Sequence, residues 1–299
     1  MIFSCENFLS TVSKYSLITA LESVARSRFG RITERTLRKL GLFPVVQRPY
    51  RWTMSRLTLH KGEYPIAVEN AGAAIIVRNV NEFNRVKSMY EEDVLSRLLR
   101  DLDSDDVFYD IGANVGIYSC LVGDILPDGS VVAVEPHPEN VSRLRENLSH
   151  NSVEATMLRQ ALSNRTGEVS LAVAVESHTT SPGHNLIEVT DTVKEYGEEG
   201  VKKVETEMSR GDDLIDERGL PSPTVLKIDV EGAELDVLRG FEQTLRSDCR
   251  LVYCEVHRTH ISKFDGSDAE LRDFLKSCGF TIDPLNDHGS KYHLRAIKR

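Results

Sequence analysis

From residue 105 to the C-terminus, short apolar runs alternate with helix-patterned segments. Such alternation limits a chain to an α/β fold built on a parallel, doubly wound sheet. Strands are expected over residues 107–110, 130–135, 155–158, 168–175, 225–229, 250–255, 281–284 and 292–297. Helices are expected from the first loop to residue 122, and over 139–148, 234–245 and 269–278. The stretch 176–203 is polar, glycine-bearing and longer than an ordinary connection.

Two zones precede this body, which divides the chain into residues 1–61, 62–104 and 105–299. In 62–104, strands are expected over 64–69 and 73–78 around a turn at Asn70-Ala71-Gly72. One helix then runs over 83–102, with Val86, Met89, Tyr90, Val94, Leu98 and Leu99 on one face. Residues 1–61 carry 11 of the 37 Lys and Arg but only 3 of the 46 Asp and Glu, while the whole chain has net charge −9. Leu21, Val24 and Phe29 with Arg26, Arg28, Arg31, Arg35, Arg38 and Lys39 describe a basic amphipathic helix. Two uses are open to it: packing on the acidic body or on a partner such as a second copy, and lying on an anionic membrane surface. Nucleic acid is not expected, since no aromatic platform or basic groove accompanies the charge.

No apolar run approaches the roughly 18 residues of a membrane span. The first thirty residues are broken by Glu6, Lys14 and Glu22, so no secretory leader is expected. Cys5, Cys120, Cys249, Cys254 and Cys278 are odd in number and contain no CxxC pair. A reducing, cytoplasmic setting is the expectation, at the membrane surface if the basic helix binds lipid.

The first loop of the body reads Asp110-Ile111-Gly112-Ala113-Asn114-Val115-Gly116. In doubly wound sheets, ligands bind beyond the carboxyl ends of the strands at the switch point. Gly112 and Gly116 let the backbone turn tightly beside a ligand. The spacing is D-x-G-x-x-x-G, not the dinucleotide G-x-G-x-x-G, and Asp110 places a carboxylate where an ammonium is more welcome than a phosphate. Glu135 closes the second strand, where an acid can accept both ribose hydroxyls. These features together favour a nucleoside with a cationic, amino-acid-like tail, a description that fits S-adenosylmethionine.

The run from Val107 to Ser119, Val134-Glu135-Pro136, Leu226-Lys227-Ile228-Asp229-Val230-Glu231-Gly232-Ala233-Glu234 with Leu238-Arg239-Gly240, and Cys254-Glu255-Val256-His257 resemble the FkbM family of S-adenosylmethionine-dependent methyltransferases. The resemblance spans roughly residues 82–285 and implies a class I Rossmann-like fold: a mostly parallel seven-stranded sheet with an antiparallel hairpin strand. It further implies O-methylation of hydroxyls on glycans or small metabolites. By motif match, Asp110, Gly112, Asn114 and Gly116 would line the methionine end of the cofactor, Glu135 the ribose, and Ala161 and Ser163 the adenine side. Residues 1–61 have no counterpart in it.

A protonated hydroxyl is a poor nucleophile, so its methylation calls for a base. Asp229 ends the fourth parallel strand and is the candidate, with Glu231 and Glu234 expected to raise its pKa and Lys227, on the same side, to lower it. Capping of the next helix is an alternative use for Asp229. Glu231 and Glu234 are also explained by first-turn placement in that helix. His257, on one side with Glu255, is a second candidate, as base or as an orienting group. Asp229, Glu255 and His257 are ligand types for a divalent cation, yet without a further acid and amide pair no metal is expected. Two other functions stand as alternatives: a cofactor-binding adaptor without transfer, and carboxyl methylation of a sugar acid, which needs no base. A nicotinamide dehydrogenase is disfavoured by the missing dinucleotide motif.

Overall fold

A computed structural model describes residues 62–78, 86, 91–174 and 201–298. The basic helix expected within 1–61 and most of the 176–203 stretch lie outside the described residues. The chain divides into two compact units, residues 1–65 with 74–90 and residues 66–73 with 91–299. Of the first, the described parts are the open ends of a hairpin, with Ile75 and Val77 buried, and the buried helical residue Val86. Everything below concerns the second unit, apart from the hairpin strands that run into it.

The hairpin strands are β1 (Gly62–Val68) and β2 (Ala71–Val77). The turn falls at Glu69-Asn70 and not at the glycine. Glu69 takes a left-handed φ of 53°, and its carboxylate is held by the Ser96 hydroxyl, while the Gly72 amide donates to Asp124 Oδ2 at 2.8 Å. These two anchors decide the register against the local turn preference of glycine. The helix expected over 83–102 is interrupted at Glu91, which is extended (φ −95°, ψ 102°), so that α1 runs only over Glu92–Asp101. The extended backbone goes with a carboxylate that reaches His293 Nδ1, 2.9 Å away on another strand.

The body then follows the expected alternation. In chain order it contains β3 (Val107–Ile111), α2 (Ile117–Ile125), β4 (Ser130–Val134), α3 (Pro138–His150), β5 (Thr156–Leu158), β6 (Ala161–Leu162), β7 (Gly167–Ala174), β8 (Val201–Ser209), α4 (Gly211–Arg218) and β9 (Val225–Ile228). It closes with α5 (Glu234–Gly240), α6 (Glu242–Ser247), β10 (Leu251–His257), a 3-10 turn (Ile261–Phe264), α7 (Asp268–Ser277), β11 (Thr281–Asp287) and β12 (Lys291–Ile297). Seven strands form one sheet in the order β11-β12-β10-β9-β3-β4-β5. The pairs β3/β4, β4/β5, β3/β9 and β9/β10 are parallel, and β12 is antiparallel to both neighbours. This is the doubly wound, mostly parallel sheet expected from the sequence, and its order reverses at β3, between β4 and β9.

The sequence reading has no counterpart for β8 or α4, and two of its expected elements differ. Residues 168–175 do form a strand, but β7 pairs with β8 in a separate three-stranded sheet, β6-β8-β7. The helix expected over 234–245 is two helices broken at Phe241. Asp212 causes the break: its carboxylate accepts from the Gln243 and Thr244 amides at 2.8 and 3.0 Å, capping α6 from outside. A Cβ on Gly240 would also lie 2.2 Å from Ser163 O, so the chain passes there only with glycine.

Strand periodicity sorts the core from the site. Leu226, Ile228, Val252, Cys254, Val256, Leu294 and Ala296 point to one face and join the apolar core with Leu235, Val237, Leu238, Leu271 and Leu275 of the helices. On the other face, strand register aligns Asp110 with Lys227, Lys227 with Tyr253, Glu255 with His293, and His257 with Lys291. Helix α1 is tied to this polar face at both ends. Glu91 engages His293, and Asp101 accepts from Tyr253 Oη at 2.6 Å and from Arg295. Among the described residues, no helix is long and apolar enough to cross a membrane.

Candidate active site

The loop between β3 and α2 turns through alternate left-handed residues: Gly112 at φ 75°, Asn114 at 54° and Gly116 at 88°. Gly112 is required by contact as well as conformation, since a Cβ there would lie 1.9 Å from the backbone oxygen of Asp229. The loop after β3 therefore abuts the end of β9 directly. The Asp229 amide completes the junction by donating to Ile111 O at 3.0 Å.

Asp110 sits beneath this loop with both oxygens engaged inside the protein. Oδ1 pairs with Lys227 Nζ at 3.0 Å, and Oδ2 accepts from the Ser119 amide at 3.1 Å and its hydroxyl at 2.6 Å. Lys227 Nζ also donates to Gly112 O at 3.0 Å. Burial alone would lower the Lys227 pKa, but Asp110 and Asp229 outweigh it and raise it, so the ammonium stays charged. Glu135, 3% exposed, accepts from the amides of Asn114 and His137 and from Asn140 Nδ2 at 2.9, 2.9 and 3.0 Å. Asn114 Oδ1 is buried and makes no hydrogen bond to a described residue. Ala161 and Ser163 fall in and just after β6, where Ala161 pairs with Met208 and the Ser163 amide donates to Ser209 O at 3.0 Å.

Asp229, His257 and Glu231, the residues expected from sequence to act in catalysis, come together at the ends of β9 and β10, joined there by Glu255. Asp229, Glu255 and His257 each bring one ligand-type atom within 4.8 Å of the others. Glu231 Oε2 lies 3.3 Å from His257 Nε2. Asp229 does not cap a helix. The N-cap of α5 is Ala233, without a side-chain cap, and the Asp229 carboxylate forms no hydrogen bond or ion pair with a described residue. Glu231 is not in the first helical turn either; it precedes α5 with a left-handed φ of 55°. That costly conformation for a side chain with a Cβ brings the carboxylate between His257 and His260, the latter 3.6 Å away.

Burial is the main cause that raises the Asp229 pKa to about 7. Lys227 opposes the rise, while Glu255 and Glu231 add to it. Glu234, expected from sequence to contribute, faces His257 instead. Glu255 is itself engaged by Lys291, which with His293 holds its carboxyl below the usual range despite burial. A second set of ligand types, Glu91, Glu255 and His293, shares Glu255 with the first. Glu255, common to both sets, already faces Lys291 and His257, and Glu91 faces His293, whereas Asp229 of the first set forms no ion pair with a described residue. Lys291, His293, His260 and Glu91 were missed by sequence reasoning. Period-two alternation along residues 291–295 was the available signal for the first two.

The model of the methyltransferase FkbM domain matches residues 110–282, more than half of the chain. The hexuronic acid methyltransferase AglP of Haloferax volcanii is 32% identical over 196 residues, which cover 64% of this chain and 74% of that protein. The AMB antimetabolite synthetase AmbE of Pseudomonas aeruginosa is 27% identical over 265 residues, 76% of this chain but 12% of that much longer protein. The 31-O-demethyl-FK506 methyltransferase FkbM of Streptomyces tacrolimicus is 29% identical over 221 residues, 67% of this chain and 83% of that protein. The match begins at Asp110 and takes in the glycine loop, Glu135, the Asp229 edge and His257, and with it the chain belongs to the FkbM family of S-adenosylmethionine-dependent methyltransferases.

Proposed function

We propose that this chain methylates a hydroxyl of a glycan or other small-metabolite acceptor, with S-adenosylmethionine as donor and Asp229 taking the hydroxyl proton. The observation that carries the reading is Asp229 itself. It is a carboxylate with no hydrogen bond or ion pair to a described residue, beside the glycine loop at the switch point, and burial brings its pKa to about 7. A base with a pKa near the working pH combines a useful ionised fraction with enough basicity to accept a proton.

The residues of the loop fit the cofactor. Gly112 and Gly116 give the loop its left-handed turns and let it pack closely on the end of β9 and on Leu144. The buried Asn114 Oδ1 offers an acceptor with no hydrogen bond from a described residue, suited to an ammonium or hydroxyl donor. Glu135 keeps Asn114 in its left-handed conformation by accepting its amide, and its carboxylate suits ribose hydroxyls. Asp110 and Glu135 make the loop unfavourable for a pyrophosphate. When bound, S-adenosylmethionine supplies an electrophilic methyl group on a sulfonium centre. Asp229 removes the acceptor's proton, and Lys227, anchored to Asp110 and the Gly112 carbonyl, keeps Asp229 from rising to a pKa at which it would no longer ionise.

Calorimetric titration with S-adenosylhomocysteine, with NAD as control, tests the cofactor. Binding of the first alone is expected; binding of NAD or of neither would overturn the reading. Replacing Glu135 by Gln turns one acceptor oxygen into a donor facing buried N–H groups. Hydrogen bonds to a charged group contribute about 1.5–3 kcal/mol, so S-adenosylhomocysteine affinity is expected to fall roughly 10- to 100-fold. An unchanged affinity in the same titration would remove Glu135 from the site.

A second reading, methylation of a sugar carboxylate, is favoured by the name of the Haloferax volcanii relative. Transfer of a labelled methyl group to glycan acceptors followed by mild alkali separates the two. An ether label survives, whereas an ester label is released.

A further inference from the structure

Glu234 opens α5, at a place where an acid is ordinarily exposed, yet it is 0% exposed. Its Oε1 accepts from the Gly232 amide at 2.8 Å and lies 2.7 Å from His257 Nδ1. The other ring nitrogen, Nε2, faces the catalytic edge, 3.3 Å from Glu231 Oε2 and 3.8 Å from Glu255 Oε2. A carboxylate that takes one ring N–H fixes both the orientation of an imidazole and what its other nitrogen presents.

From this geometry we propose that Glu234 is a positioning residue that keeps His257 doubly protonated, so that Nε2–H meets the acceptor edge as a hydrogen-bond donor while Asp229 alone takes the proton. The part given to Asp229 rests on the hydroxyl-methylation reading above; the part given to Glu234 does not.

Among the described residues, charge reaches the ring from several elements. Glu234 comes from α5, Glu231 from the loop before it, Asp229 from the end of β9 and Glu255 from the ring's own strand. Lys291, the register partner of His257 on β12, is engaged by Glu255. His260 stacks on His257 with centroids 5.8 Å apart and planes 9° from parallel. Burial lowers the His260 pKa and, although Glu231 opposes, the charged neighbour His257 lowers it further, so His260 is the neutral member of the pair. For His257, burial alone would strip the proton, but Glu234, Glu231 and Asp229 outweigh it and raise the pKa to about 9. The window from about 7 to about 9 is thus the one in which Asp229 is ionised and His257 charged. Below it the base is protonated, and above it the donor is lost.

The test is nitrogen-15 histidine NMR on the full chain, with the His257 signals identified by their loss in His257→Gln. Both ring nitrogens are expected to carry protons at pH 7.5, with titration near 9. In Glu234→Gln the titration should move back toward the ordinary value of 6.5. The upper limb of the kcat–pH profile should move with it, the lower limb and the KM for S-adenosylmethionine should stay, and Glu234→Asp should recover part of the shift. A neutral His257 at pH 7.5 in the wild-type protein overturns the proposal, and that spectrum decides even if the variant fails to fold. A Glu234→Gln titration identical to wild type also overturns it. The expected spectra without methyl transfer to any hydroxyl would support the part of Glu234 and overturn that of Asp229.

Discussion

Replacing Asp229 by Asn is expected to lower kcat by roughly 10²- to 10⁴-fold, the range contributed by a positioned general base. Asparagine keeps the shape and the backbone contacts of residue 229, including the amide bond to Ile111 O and the close approach of its carbonyl to Gly112. S-adenosylhomocysteine affinity should therefore remain near that of the wild type. The lower limb of the kcat–pH profile, near 7, should vanish, because it reports ionisation of this carboxyl. The sign follows from the role: a base works only when deprotonated, so activity rises with pH through its pKa. Steady-state kinetics and calorimetry on the same preparation separate loss of chemistry from loss of cofactor. Full activity in Asp229→Asn would remove the base assignment. It would also favour a carboxylate acceptor, which arrives already deprotonated.

The second large effect is expected at Gly112. Alanine there would place its Cβ 1.9 Å from Asp229 O, a backbone atom that no side-chain rotation can move aside, at a φ of 75° that disfavours any Cβ. Either the β3 loop or the end of β9 must shift. The left-handed conformation alone costs about 1–3 kcal/mol, and the overlap adds to it. A total on the order of 4 kcal/mol belongs to the exceptional class of point substitutions. For a unit of about 200 residues this corresponds to a fall in Tm of roughly 10 °C. Thermal unfolding measures it, and cofactor titration of any folded fraction should show weakened binding, since the loop and the catalytic edge move together. A Gly112→Ala variant with the wild-type Tm and affinity would show that the two strands do not meet there.

Much of this site is readable from the chain because its spacing is local. Period-two alternation is enough to put Lys227 with Asp229 and Glu255 with His257, and on β12 the register sets His293 and Lys291 opposite the latter two. The glycine positions of the first loop follow from the need for left-handed backbone, which Gly112 and Gly116 meet. What alternation cannot tell is which distant group completes each contact. It does not reveal that Glu234 turns inward to His257, 23 residues ahead, and away from Asp229. It does not reveal that Asp212 breaks a helix about 30 residues later, or that Glu91 leaves its helix to reach His293.

The sequence by itself determined the class of fold, the strand order's switch point, the glycine loop after the first parallel strand and the residue types at the candidate catalytic edge, all of which follow from short-range periodicity and spacing. Only the tertiary structure decided their working states. Asp110 is held by Ser119 and Lys227 within the protein, Asp229 has no hydrogen bond or ion pair to a described residue, and Glu231 reaches His257 through a strained backbone. The physical reason is that pKa and hydrogen-bond partnership depend on burial and on charges brought within a few ångströms by packing. Those quantities are set by which strands and helices meet, not by which residues are adjacent in the chain.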